Sequence, residues 1–153
     1  MGNFKLSQRS LDRIDGIDEE LYTLVRTAIH NTPYDFGIPN LGGLRTIEEQ
    51  RALVDSGASK TMKSKHLLGH AVDLMAYCKG ARWELNLYDE IADAISESAK
   101  FENVKVRWGA AWTIDSIGDW NGTAQQAMES YIDTRRSQNR RPFIDAPHFE
   151  LML

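Results

Sequence analysis

The chain is poor in cysteine and in uninterrupted apolar sequence, and each shortage excludes a class of protein. One cysteine, Cys78, rules out an internal disulfide framework and any zinc site built from several thiolates. Cys78 itself is expected as a small buried hydrophobe. No apolar run approaches the roughly 20 residues that cross a bilayer, so stable membrane insertion is not expected. The opening MGNFKLSQRS has no apolar stretch after its charges, so no signal peptide is expected either. Net charge is −4, and nucleic-acid affinity comes mainly from Lys and Arg facing phosphates, so nucleic acid is not an expected partner. Absence of a repeat, low-complexity tract or linker leaves one domain over residues 1–153, expected as a monomer. At 42% hydrophobic, that domain can bury a core without staples.

What is present reads helical early and extended late. Asp18 is an expected N-cap, followed by Leu21, Leu24, Val25, Ala28 and Ile29 at helical spacing, and Asn31-Thr32-Pro33 ends the pattern. Thr46 and Glu49 form a capping-box pair opening a helix that stops at Gly57. A third helix is expected over residues 86–100, with Leu87, Ile91, Ala94 and Ile95 on its apolar side. Strands are expected at 71–75, 104–108 and 148–153, the last with Phe149, Leu151 and Leu153 facing one way and His148 and Glu150 the other. This order predicts an α+β fold with a small antiparallel sheet. Residues 113–142 are polar and are expected to form an insertion, a mobile flap or wall-contacting element outside the core. One helix is expected inside it, from the Thr123–Gln126 capping box, with Ala124, Ala127, Tyr131 and Ile132 on one side. Its Arg135, Arg136, Arg140 and Arg141 could touch an anionic polymer or form a solvated loop.

Four histidines are available for chemistry. Catalytic zinc takes three protein ligands from His and carboxylate and keeps a position open for water. In the run SKHLLGHAVD, His66 and Asp73 flank a glycine that lets the chain turn into a strand, so both can reach one ion. His148 on the non-core face of the final strand is the expected third ligand. Asp145, three residues earlier, brings a second carboxylate within reach of the attacking water. The spacing of His66 and Asp73 taken alone favours solvated polar residues over a metal pair. His66 and His70 also stand four apart, as in a helical zinc pair, but Gly69 lies inside that pair and Leu67 stands where HExxH needs Glu. His70 is therefore read as a neighbour that could orient a ligand. His30, at a helix end, suits a solvated or dipole-facing role.

Ser64-x-His66-x-x-Gly69-x-Ala71-x-Asp73 resembles the SxHxxGxAxD signature of the D-Ala-D-Ala metallopeptidase family, within the wider group that includes lysostaphin-type enzymes and hedgehog domains. Gly43-Leu44-Arg45-Thr46 is similar to its G-x-R-[ST] element, and Asp145-x-x-His148-x-Glu150-Leu151 to its final strand motif. With Tyr34-Asp35-Phe36-Gly37 and Trp108-Gly109-x-x-Trp112, the chain resembles the L-alanyl-D-glutamate endopeptidase branch found among phage endolysins. Two departures stand out: Ala110-Ala111 occupies a stretch where relatives often carry an acid, and residues 113–142 exceed compact members.

The resemblance implies a small sheet carrying a zinc site, with helices packed on one side. It implies that His66, Asp73 and His148 bind Zn²⁺, that Asp145 is the general base, that Arg45 stabilises the oxyanion and that Ser64 helps hold substrate. The substrate would be the peptide of bacterial peptidoglycan, cut for host cell lysis by an enzyme that waits in the host cytoplasm for a membrane pore made by another protein. A zinc D-Ala-D-Ala carboxypeptidase or dipeptidase, and a non-catalytic zinc-containing wall-binding domain, are the alternatives. Retention of Asp145 argues against the last, since a binding module needs no base. Arg45, just before a capping box, could also be a surface arginine at a helix start.

Overall fold

Two capping motifs and a hydrophobic helix pair build the first half of the chain. The structure, a computed structural model, describes residues 4–153; Met1, Gly2 and Asn3 of the segment read for a signal peptide lie outside it. Helix α1 (Gln8–Arg13) is followed by α2 (Glu19–Asn31), where the Asp18 side chain accepts from Glu20 N–H as expected of an N-cap. Leu21, Leu24, Val25, Ala28 and Ile29 are buried on its inner face. They share one core with Tyr88, Ile91, Ala92, Ile95 and Ala99 of α4 (Leu85–Glu102), against which α2 packs. The Thr46–Glu49 capping box opens α3 (Ile47–Asp55) in both directions, Thr46 Oγ1 accepting from Glu49 N–H and Glu49 accepting from Thr46 N–H.

The expected small sheet is two small antiparallel sheets. One joins β1 (Phe36–Gly37), β3 (Met75–Tyr77) and β4 (Ala81–Arg82) in the order β1-β3-β4. The other joins β2 (Ala71–Asp73), β6 (His148–Leu151) and β5 (Val106–Trp108) in the order β2-β6-β5. The strand expected at 71–75 is thus divided. Asp73 N–H bonds to Gly42 O and Leu74 N–H to Pro147 O, so the chain leaves one ladder at Leu74 and enters the other at Met75. Period-2 patterning cannot see such a change of partner, because Leu74 is buried like a strand residue throughout.

Register in the second sheet places the chemistry. Asp73 lies opposite His148 and Val72 opposite Phe149 across β2 and β6, while Trp108 lies opposite Phe149 across β5 and β6. Directly opposed residues point to the same face. Val72, Phe149 and Trp108 therefore enter the core together, and Asp73, His148 and Glu150 emerge on the other face. Phe149 and Leu151 are buried as expected, but Leu153 lies beyond the strand and is 87% exposed.

Residues 113–142 are not a flap. Helix α5 (Ala124–Ser137) starts at the Thr123–Gln126 capping box and packs on α4, with Ala124, Ala127 and Met128 inside the common core. Its first free N–H, on Ala124, donates to Asp93 of α4 at 2.7 Å. A buried apolar stripe on an otherwise polar helix overrode the segment's composition. Cys78 also departs from expectation: it is exposed, in the turn between β3 and β4 where its N–H bonds to Gly80 O. Among the described residues no helix is long and apolar enough to cross a membrane.

Candidate metal centre and active site

Ser64 caps a 3-10 turn, Lys65–Leu68, its Oγ accepting from His66 N–H at 3.2 Å. Gly69 ends the turn at φ +73, a left-handed conformation that suits glycine, and the chain enters β2. His66 is thereby buried at 2% exposure. The loop holding Gly43 and Arg45 is tied to this turn twice: Arg45 N–H donates to His66 O at 3.1 Å, and His66 Nδ1 donates to Gly43 O at 2.9 Å. A carbonyl only accepts, so Nδ1 carries the proton of the neutral ring and Nε2 keeps its lone pair. Gly43 is required there, since a Cβ would meet the Arg13 carbonyl oxygen at 2.0 Å.

The free Nε2 of His66 lies 3.4 Å from Asp73 Oδ1, and His148 Nδ1 lies 3.2 Å from the same oxygen. One donor atom from each of the three residues falls within 4.8 Å of the others. A tetrahedral zinc with bonds near 2.0–2.1 Å separates its ligand atoms by about 3.3 Å, so both contacts to Asp73 have the length of a coordination edge. The other nitrogen of each imidazole has an acceptor: Gly43 O for His66, and Glu150 Oε1 at 2.9 Å for His148. Metal-binding histidines characteristically donate from the second ring nitrogen in this way. The donor set, its spacing and its outer acceptors fit a zinc ion. His70 is not in the cluster; its carbonyl accepts from Leu151 N–H and helps hold β6.

The centre is strongly polarised. Burial would raise Asp73, but the hydrogen bond from His148 and the facing imidazoles outweigh it and hold the carboxylate far below its usual range. His148 shows the converse. Burial disfavours its charge, yet the bonds to Asp73 and Glu150 raise it to about 9. Glu150 is 8% exposed, and against the cost of burial its bonds to His148 and Lys65 lower it to about 2. Lys65 Nζ pairs with Glu150 Oε2 at 3.1 Å, so a chain Lys65–Glu150–His148 runs outward from the centre. Both carboxylate oxygens of Glu150 are thus engaged, one by the His148 ring and one by Lys65.

Asp145 occupies a tight corner. Its N–H donates to Gly109 O, Gly109 N–H donates to His148 O at 2.7 Å, and His148 N–H returns to Asp145 O. Burial raises the Asp145 carboxyl above its ordinary value, and the nearby Asp73 charge adds to that, while His148, His66 and Arg45 oppose it. Arg45 is no surface arginine. Its Nε donates to Leu41 O, Nη1 to Gln50 Oε1 and Nη2 to Asp73 Oδ2 at 3.2 Å, with its side chain 12% exposed. Burial draws its pKa down and Asp73 partly restores it.

The structure therefore gathers His66, Asp73 and His148, with Arg45 bonded to Asp73 and Asp145 within the same electrostatic cluster, and puts Ser64 at the cap of the His66 turn. Sequence reasoning missed the buried Gln50, which holds Arg45 while donating to Ser59 and Thr61, and it missed the pairing of Lys65 with Glu150. Gln50 left no signal in a run of charged residues. Lys65 and Glu150 did: each neighbours a ligand motif, and Glu150 shares the face of His148.

A mixed α+β fold whose sheet presents a His/Asp/His donor set that could hold a metal ion, beside a raised carboxyl and a fixed guanidinium, has the parts that a metal-dependent peptidase requires. The chain belongs to the phage L-alanyl-D-glutamate peptidase family, whose model matches residues 1–152. It is 30% identical over 124 residues to the L-alanyl-D-glutamate peptidase of Escherichia phage T5, covering 78% of this chain and 88% of that protein. It is 39% identical over 80 residues to the L-alanyl-D-glutamate peptidase of Listeria phage A118, covering 52% of this chain but 25% of that longer protein. Among solved structures it resembles the L-Ala D-Glu endopeptidase ChiX of Serratia marcescens, with a TM-score of 0.67 and 29% identity over 97% of this chain and 90% of that one.

Proposed function

We propose that this chain is an endolysin that hydrolyses the bond between L-alanine and D-glutamate in the stem peptide of bacterial peptidoglycan, with zinc held by His66, Asp73 and His148. The reading rests on the donor cluster within 4.8 Å, in a chain of a family named for that bond. Zinc bound there supplies Lewis acidity toward the scissile carbonyl and makes water acidic near neutral pH. Asp145, raised by burial, takes the proton from the attacking water and delivers it to the leaving amine. Arg45 faces the negative charge that develops on the carbonyl oxygen, fixed by its bonds to Leu41 and Gln50 so that little reorganisation is needed. Ser64 contributes a contact to substrate beside the turn it caps.

An internal bond is favoured over a terminal one by where the cations are. An exopeptidase needs a free cation near the centre to anchor the terminal carboxylate of its substrate. Lys65 is paired with Glu150, Arg107 with Asp115, and Arg135 with the carbonyl of Arg141. Residues 1–153 act as one catalytic domain and as a monomer, with residues 113–142 an addition to the compact form of the family. Lysis follows when a pore made by another protein lets the enzyme leave the host cytoplasm.

Digestion of purified peptidoglycan followed by mass spectrometry tests the reading. Stems beginning at D-glutamate are expected. Release of free D-alanine from stems still attached to glycan would establish the carboxypeptidase instead. Chelation should abolish the digestion and added Zn²⁺ restore it, and an active preparation free of zinc would rule out the metal assignment.

A further inference from the structure

The ring of Trp112 lies 5.7 Å from the ring of His148, tilted by 32°. Phe143 stacks on Trp112 at 6.1 Å and 25°. The backbone of Phe143 is held by side chains at both ends: Trp112 Nε1 donates to its carbonyl at 3.0 Å, and its N–H donates to the Tyr131 hydroxyl at 2.9 Å. Tyr131 is a buried residue of α5, 3% exposed. Phe143 nevertheless keeps 58% of its surface in solvent. A loop aromatic fixed so firmly, yet left uncovered beside a ligand ring, is arranged to receive something.

We propose that Trp112 and Phe143 form the apolar wall of the substrate subsite on the amino-terminal side of the scissile bond, and that Tyr131 is the positioning residue that keeps this wall against the centre. The proposal rests on the peptidoglycan reading above. In that substrate the two sides of the bond differ in chemistry. The D-glutamate side carries a free carboxylate, which the negative face of an aromatic ring disfavours. The other side is uncharged, an alanyl methyl preceded by the lactyl group that joins the stem to muramic acid, and it suits two ring faces. Arg45, Asp145 and the Lys65–Glu150 pair, the other groups tied to the centre, are polar or charged and suit the carboxylate-bearing side better. This assignment also gives residues 113–142 a purpose: α5 braces the wall from behind, and Ala110 and Ala111, both buried, let the chain turn close to the core before Trp112.

Steady-state kinetics on a soluble muropeptide, glycan–L-Ala–D-Glu–diamino acid, tests this with zinc content measured in every variant. Phe143→Ala and Tyr131→Phe should each raise KM, the first roughly three- to tenfold, with kcat within about twofold and zinc retained, the pattern of lost uniform binding. Phe143→Tyr, which keeps the ring, should restore the wild-type KM. On a peptide with a free L-alanine amino terminus, lacking the lactyl group, the Phe143→Ala penalty should shrink. Wild-type cleavage with unchanged KM in both variants would overturn the wall, as would a loss confined to kcat. A wild-type enzyme that leaves the muropeptide intact would refute the substrate reading itself, a separate outcome from a wall that does not matter.

Discussion

Replacing Glu150 by alanine removes the acceptor of His148 Nε2 at 2.9 Å and the counter-charge of Lys65 at 3.1 Å, without touching any of the three donor atoms. Loss of such an outer partner typically weakens metal binding about 10- to 100-fold, or roughly 1.4–2.7 kcal/mol. A second effect has the opposite sign. His148 is raised to about 9 in the metal-free protein, so at pH 7 a proton competes with zinc for Nδ1 by about 100-fold. Removing Glu150 takes away the Nε2 hydrogen bond, one of the two that favour the charged ring, the other running from Nδ1 to Asp73, and so relieves part of the competition. The net loss should therefore be partial at pH 7 and grow toward the full 10- to 100-fold as pH rises through about 9, where His148 loses its proton in the wild type as well. Zinc dissociation constants from competition with a chromogenic chelator at the two pH values measure both terms. Glu150→Gln, which keeps an acceptor oxygen, should fall between wild type and Glu150→Ala. An alanine variant that binds zinc as tightly as wild type at pH 9 would show that β6 alone orients the ring, and the outer chain would lose its assigned role.

Asp145→Asn should show the reverse pattern, zinc retained and kcat reduced by about 10² to 10⁴, or roughly 3–5 kcal/mol of barrier; near-normal turnover would remove Asp145 as the base. For the metal-free protein, the raised His148 contributes stability below 6.5 that fades as pH rises through about 9, and the lowered Glu150 contributes above 4.5 and fades as pH falls toward 2. Urea melts in EDTA should thus peak between pH 4.5 and 6.5, and a maximum above pH 8 would contradict the pairing. Gly109→Ala places a Cβ at 2.2 Å from the Asp145 carbonyl oxygen and 3.0 Å from His148 Cβ, so the Asp145 corner must shift. We expect a loss of about 1–3 kcal/mol in denaturant unfolding together with a fall in kcat, and a variant of unaltered stability would show the corner to be compliant.

Local signals were legible where their physics is local. Asp18, Thr46 and Thr123 each cap the helix expected of them, because capping is decided within four residues. The clustering of His66, Asp73 and His148 was legible because each sits in a short motif with fixed spacing. What failed was decided at long range. The division of 71–75 between two sheets depends on Pro147, seventy-three residues beyond Leu74 in number, and the seating of α5 depends on the face that α4 offers it. Cys78 is exposed because a two-residue strand and its turn carry it away from the core, which composition cannot show. The Trp112–Phe143 stack joins residues on either side of the segment that composition alone marked as dispensable.

Strand β6 lies between β2 and β5, which share no hydrogen bonds with each other, so the second sheet has no partial form that lacks residues 148–151. The same strand carries His148 and ends the corner that carries Asp145. Sheet closure and assembly of the centre are consequently one event, and a non-local one, the kind that loop-closure entropy makes late in folding. During synthesis the helices of the first hundred residues can pack on one another while the chain still has no completed donor set. The donor set is then completed in a single step rather than by degrees, so refolding of the sheet and acquisition of a metal-binding site are expected to share one kinetic phase.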